Sequence, residues 1–168
     1  MKALAISDTH IENVEQLIWL QHVLMPFISD VDVILHAGDA IIPEVADHLS
    51  SLRPTHLVRG ECDLPPMQWS LPRTEVVQVG QYMIGIAHAR LGLEEIADLM
   101  TVDFSQVDAI VYGHTHEPFV GKLREVLLIN PGSPTHPDAS PRNSVAVIDA
   151  GGPLSARIVD VIRPVPNN

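Results

Sequence analysis

Five short clusters in this 168-residue chain hold the side-chain types that bind divalent cations. They are Asp8-Thr9-His10, Gly38-Asp39, Gly60-Glu61-Cys62-Asp63, a lone His88, and Gly113-His114-Thr115-His116. Carboxylate oxygens and imidazole nitrogens together form a ligand set for such ions. Taken singly, each cluster is weak. Nine histidines in a chain of this length give about half a His-x-His pair by chance, so the last cluster proves nothing alone.

Their placement carries the argument. Ala3–Ser7, Val31–Leu35, His56–Val58, Met83–Ala87 and Ala109–Tyr112 are short, aliphatic-rich runs that read as buried strands. Asp8 and His10 follow the first, Gly38 and Asp39 the second, and Gly60 to Asp63 the third. His88 follows the fourth and Gly113 to His116 the fifth. The C-terminal strand edge is where open α/β sheets bind ligands. Glycines beside three of the clusters let the backbone turn tightly so that side chains converge. Seven oxygen and nitrogen ligands on one edge exceed the needs of one tetrahedral zinc. They suit two ions about 3.5–4 Å apart that share a bridging carboxylate.

The intervening stretches complete an α/β pattern. Asn13–Met25 reads as a helix with Asn13 as N-cap, Gln16 three residues on, one face of Val14, Leu17, Ile18, Gln21, Leu24 and Met25, and Pro26 as its end. Pro43–Leu52 starts with proline at N1, and Leu93–Met100 carries Glu94 and Glu95 in its first turn. Leu64–Pro72 reads as a surface loop with Trp69 tucked beneath it. After His116, the segments Phe119–Arg124, Val126–Ile129, Ser144–Asp149 and Ala156–Ile162 predict antiparallel β structure. Residues 1–168 read as one domain.

Ten Lys+Arg face twenty-one Asp+Glu, a formal net charge of −11. That balance excludes non-specific binding to nucleic-acid polymers or acidic membranes. The single Cys62 cannot close an internal disulfide, and no apolar run approaches the roughly 18 residues of a membrane span. A cytoplasmic location is expected, and association into a homo-oligomer is left open.

The ordered set SDTH (7–10), HAGDA (36–40), VRGECD (58–63), AHA (87–89) and YGHTH (112–116) resembles the calcineurin-like metallophosphoesterase superfamily. More narrowly it resembles the small prokaryotic phosphodiesterases, whose fold a retromer subunit also uses. INPGSP (129–134) and Arg142 are similar to that subgroup as well. The resemblance implies a four-layer α-β-β-α sandwich and hydrolysis of a small phosphate ester, most specifically a phosphodiester. It implies that Asp8, His10 and His116 hold a first metal, that Asp39 bridges, and that His88, His114 and position 61 hold a second. Manganese is the expected ion, with nickel, magnesium, zinc or iron as alternatives. A metal-bridging hydroxide would attack phosphorus in line, because metals lower the pKa of water from 15.7 toward about 7.

Two positions depart from the pattern. Glu61 stands where the family has Asn, which ligates through a neutral carbonyl and can donate to phosphate, whereas Glu offers acceptor oxygens only. With Glu61, three carboxylates and a hydroxide balance two divalent ions; with Asn the core would keep one positive charge. Cys62 stands where the wider superfamily has a histidine that protonates the leaving group. A thiol with pKa about 8.5 is a candidate for that acid role, against the plainer reading of a small buried thiol below the metals. His36 reads as a histidine orienting a ligand from behind, His22 and His48 as surface residues, and His56 as structural. His136 is exposed or lines the substrate approach, and Arg59, Arg90 and Arg142 lie near metal motifs. The rival to an enzyme is a metal-loaded, weakly active or inactive member that serves as a protein-interaction module. A metallo-β-lactamase-type hydrolase is set aside, because His114-Thr115-His116 continues as Glu117-Pro118.

Overall fold

The computed structural model describes residues 1–89, 103–136 and 142–161. Two five-stranded mixed sheets pack face to face. The first holds β1 (Lys2–Ile6), β2 (Val33–His36), β3 (Thr55–Leu57), β9 (Ser144–Asp149) and β10 (Ser155–Asp160), in the order β10-β9-β1-β2-β3. The second holds β4 (Thr74–Val79), β5 (Tyr82–His88), β6 (Ala109–Gly113), β7 (Phe119–Leu123) and β8 (Val126–Asn130), in the order β4-β5-β6-β8-β7. β1, β2 and β3 run parallel, as do β5, β6 and β8. All of the candidate ligand clusters therefore leave their strands at matching ends.

Burial on both faces explains the unbroken apolar strands. β2 and β6 are buried at every residue, and β1 at all but Lys2. Between the sheets lies a core of Ala3, Ala5, Leu35, Val79, Ile84, Ile86, Val111, Ile129 and their neighbours. On the outer side of the first sheet, Leu4, Ile6 and Ile34 meet α1 (Val14–Ile28) and α2 (Pro43–Leu52) through Leu20, Leu24, Val45 and Leu49. Outside the second sheet, Phe104 packs on Ile110, Tyr112 and Leu128. The expected helix Leu93–Met100 and Arg90 lie outside the described residues. Truncating one of these buried leucines or isoleucines to alanine costs about 2–5 kcal/mol.

Several sequence expectations need correction. Asn13 does cap α1, its side chain accepting from the Gln16 amide at 3.0 Å, but the helix runs through Pro26 to Ile28. Proline in the last turn forfeits only one helical hydrogen bond. The buried face of α1 is Leu20, Val23, Leu24 and Ile28, while Val14, Ile18 and Met25 face outward. This helix is apolar on most sides, so periodicity alone did not settle which side packs. Pro65–Ser70 forms a short helix, α3, where a loop was expected. Met67, rather than Trp69, is buried beneath that segment; Trp69 is 83% exposed. β4 was not anticipated, and β8 pairs with β6 in parallel, so the C-terminal half is not wholly antiparallel.

Candidate metal centre

The candidate ligands sit on backbone that most residues avoid. Asp8, His10, Asp39, His114 and His116 have φ of 54, 44, 58, 91 and 56°, in the left-handed region. Such conformations cost about 1–3 kcal/mol each and persist where the surroundings enforce them. Here, the loops after β1 and β2 run side by side. The Asp8 amide donates to the Gly38 carbonyl, His10 to that of Asp39, and Ile11 to that of Ala40, at 3.0, 3.0 and 3.2 Å.

Three glycines permit the close approach. A Cβ on Gly38 would stand 2.8 Å from the His88 ring, one on Gly60 would collide with Asp39, and one on Gly113 with Ser7 Oγ. The clusters at these glycines come from both sheets and meet there. Asp8, His10 and His116 offer ligand atoms within 4.8 Å of one another, and so do Asp8, Asp39 and His88, and His10, Asp39 and Cys62. Asp39 Oδ1 accepts the Cys62 amide at 2.8 Å, leaving Oδ2 3.2 Å from His88 Nε2 and 3.7 Å from His10 Nε2. His116 Nε2 lies 3.2 Å from His10 Nε2 and 3.5 Å from Asp8 Oδ1. The Asp8 carboxylate accepts the His114 amide through both oxygens, at 3.1 and 3.0 Å.

Backbone carbonyls fix two imidazole tautomers. His88 Nδ1 donates to the Ala37 carbonyl at 2.7 Å, and His116 Nδ1 to that of His136 at 2.6 Å. In neutral rings this leaves Nε2 with a lone pair aimed into the cluster, as in metal-ligating histidines. His88 Nε2 is buried and has no hydrogen-bond partner, although it faces Asp39 Oδ2. Lone pairs face lone pairs across that gap unless a cation or proton lies between them. The donor set thus fits divalent ions.

The metal-free electrostatics say the same. Burial pulls the His88 pKa down, but the Asp39 carboxylate 3.2 Å from Nε2, the Asp8 charge and the Ala37 carbonyl outweigh it and push it up to about 9. Burial would raise Asp39, yet His88 and the Cys62 amide hold it well below the usual carboxylate range. Burial lowers His10, opposed by Asp39 and Asp8. A proton on His88 stands in for a bound cation.

The remaining expected residues are placed less uniformly. The Glu61 side chain is exposed and in none of the three groups, and the His114 imidazole is in none either. The His114 ring lies edge-on to His88, with centroids 5.4 Å apart. Cys62 is exposed, with Sγ beside Asp39 and His10, so the buried-thiol reading does not hold. Burial and the neighbouring Asp39 push its pKa up to about 11. His36 is fully buried and bridges Thr9 Oγ1 at 3.1 Å and the Gly38 amide at 3.2 Å, holding the two ligand loops rather than a ligand itself. His22 is exposed and His48 half-buried. His56 pairs with Glu75 at 2.7 Å. His136 packs edge-on to His10, centroids 5.3 Å apart, and Arg142 pairs with Asp160 at 3.1 Å.

Sequence reasoning assigned no role to several supporting residues. Buried Asp63 accepts the Ile41 and Gly60 amides, both at 2.7 Å, clipping two loops together. Ser133 Oγ donates to the Asp8 carbonyl at 2.7 Å, Thr135 Oγ1 donates to that of Thr9, and Asn130 Nδ2 donates to Thr115 Oγ1. The run Asn130 to Thr135 at the end of β8 was the available signal.

A family model described as the calcineurin-like phosphoesterase superfamily domain matches residues 1–152. A probable metallophosphoesterase of Methanocaldococcus jannaschii is 32% identical, the match covering 93% of this chain and 79% of that one. Among solved structures, an archaeal phosphodiesterase superposes with TM-score 0.75 at 20% identity, over 95% of this chain and 99% of that one. A zinc complex of Vps29 from Entamoeba histolytica superposes with TM-score 0.68 at 24% identity, over the same shares.

Proposed function

Since the chain belongs to the calcineurin-like phosphoesterase superfamily, we propose that it is a two-metal phosphodiesterase that hydrolyses a small phosphodiester by in-line attack of water at phosphorus. The observation carrying this reading is the pair of ligand groups Asp8-His10-His116 and Asp8-Asp39-His88, which share Asp8, with Asp39 also grouped with His10 and with a buried His88 Nε2 turned toward Asp39. Asp8, His10 and His116 would hold the first ion and Asp39 would bridge. His88 would hold the second, completed by His114, whose ring lies against it, and by Glu61 at the rim.

Two bound divalent ions, manganese by preference, supply positive charge toward the phosphoryl oxygens and a lowered pKa for water. The chain's own contribution is orientation. His36, Asp63, Ser133 and Thr135 fix the loops, and the Ala37 and His136 carbonyls fix the imidazoles. Cys62 would hand a proton to the departing alkoxide, a role supported by its exposure and by Sγ lying beside Asp39.

A second reading, a metal-binding protein-interaction module of little or no activity, rests on the likeness to Vps29 and on Glu61 lying outside the ligand groups. One experiment separates them. The protein is stripped of metal, reloaded with Mn²⁺, Mg²⁺, Ni²⁺ or Zn²⁺, and assayed on an aryl phosphodiester and an aryl phosphomonoester. Turnover of the diester with at least one ion is expected. Two bound ions per chain with no turnover of either ester would refute the enzyme reading.

A further inference from the structure

We propose that the cleft beside His88 is an anion subsite, in which Arg59 and Arg73 select phosphodiesters that carry a second negatively charged group a few bonds from the scissile phosphorus. This deepens the phosphoesterase reading and rests on it. The cleft holds about 310 Å³ and is lined by Arg59, Gly60, Glu61, Gln68, Arg73 and His88. Because His88 belongs to the ligand groups, a molecule seated in the cleft has one end against the reacting centre and the other among the arginines.

The two cations are placed together by the backbone. The Arg59 amide donates to the Pro72 carbonyl at 2.9 Å, which sets the Arg59 segment beside the one that carries Arg73. Arg59 Nη1 donates to the Gln68 carbonyl at 2.6 Å, and Gln68 Nε2 donates to the Gly60 carbonyl, so the floor of the cleft is tied down. A guanidinium has five N–H donors, and this anchor uses one of them. Arg73 is exposed and makes no hydrogen bond or ion pair among the described residues. In a chain of net charge −11, a cation without a carboxylate partner is unexpected. Arg142, by contrast, pairs with Asp160.

Two guanidinium groups in one open cleft are suited to bidentate recognition of a phosphate or a carboxylate. They also offset Glu61, whose charge at the same rim repels an anionic substrate. A diester with one uncharged arm leaves this subsite unused.

The test uses the Mn²⁺-loaded protein and three matched diesters. These are p-nitrophenyl ethyl phosphate and its analogues with a carboxylate or a phosphate on the ethyl arm. An anion-bearing arm is expected to raise kcat/KM about tenfold or more, chiefly through KM, as one charge-assisted contact would. Whichever charged arm gains identifies the anion. Arg73→Ala is expected to abolish the preference and Arg73→Lys to retain part of it. No preference in the wild type, or a preference untouched by Arg73→Ala, would overturn the subsite while leaving the phosphodiesterase standing. An equal loss on all three diesters would assign Arg73 to the scissile phosphate and overturn it as well. No turnover of any of the three diesters, with Mn²⁺ or with the other three ions, would sink the phosphodiesterase reading and the subsite with it.

Discussion

Replacing Gly113 with alanine should displace Asp8, a proposed metal ligand, without changing that residue. A Cβ at this position overlaps Ser7 Oγ and lies 2.8 Å from Asp8 Oδ2 and 2.9 Å from the Ala37 carbonyl. Ordinary van der Waals contact begins at 3.4 Å, so the Asp8 and Ala37 oxygens must retreat by roughly 0.5 Å and Ser7 Oγ by roughly 1.5 Å. Ser7 and Asp8 are fully buried, the Asp8 oxygens accept the His114 amide, and Ser7 Oγ donates to the Ala37 carbonyl, so little can yield freely. Overpacking of this kind costs about 1–3 kcal/mol, and at 168 residues about 2–4 °C of Tm per kcal/mol. Metal–ligand distances tolerate only about 0.2 Å. Manganese affinity should therefore fall roughly 10–100-fold, the loss typical of disturbed supporting contacts. Titration calorimetry and urea unfolding read the two effects. Gly152→Ala is the control, since nothing lies within 4 Å of its Cβ. Wild-type manganese affinity in Gly113→Ala would refute the claim that this glycine seats Asp8.

His36 has a folded pKa of about 4 because of burial, against 6.5 for the exposed ring. The folded state thus binds fewer protons, so stability present above pH 6.5 is lost as pH falls toward 4, by up to about 3 kcal/mol. His36→Gln should flatten that stretch of a urea-unfolding series in EDTA, and an unchanged slope would contradict it. Asp63→Ala removes the acceptor of two amides and should lower unfolding free energy by about 2–4 kcal/mol, with a loss under 0.5 kcal/mol counting against the clip. Glu61→Asn should weaken binding of the second manganese ion while leaving the unfolding midpoint in EDTA unchanged. Equal affinity in both proteins would show that Glu61 is not a ligand.

The strands and the ligand clusters were legible because one rule governs both. Parallel strands buried on two faces must be apolar throughout, so polar residues mark their ends, as at Ser7-Asp8 and Gly113-His114. The facing of α1 was not legible, since Val14 and Ile18 are as apolar as Leu20 and Val23. Cys62 was misjudged because exposure depends on how α3 folds beside it, which a Pro-rich string does not reveal. The clip made by Asp63 was not legible either. A carboxylate that accepts two backbone amides looks, in sequence, like one that holds a metal.

The position of β1 bears on how the protein is made. Its antiparallel neighbour is β9, with Lys2 opposite Asp149, so one flank of the strand that presents Asp8 stays unpaired until Ser144–Asp149 has been made. His88, His114 and His116 also arrive from the other sheet, after that strand. A nascent chain therefore holds His10, Asp39 and Cys62 of the first sheet before the histidines of the second sheet exist. Long-range pairings of this kind slow folding. The full set of candidate ligands comes together only when both sheets have formed.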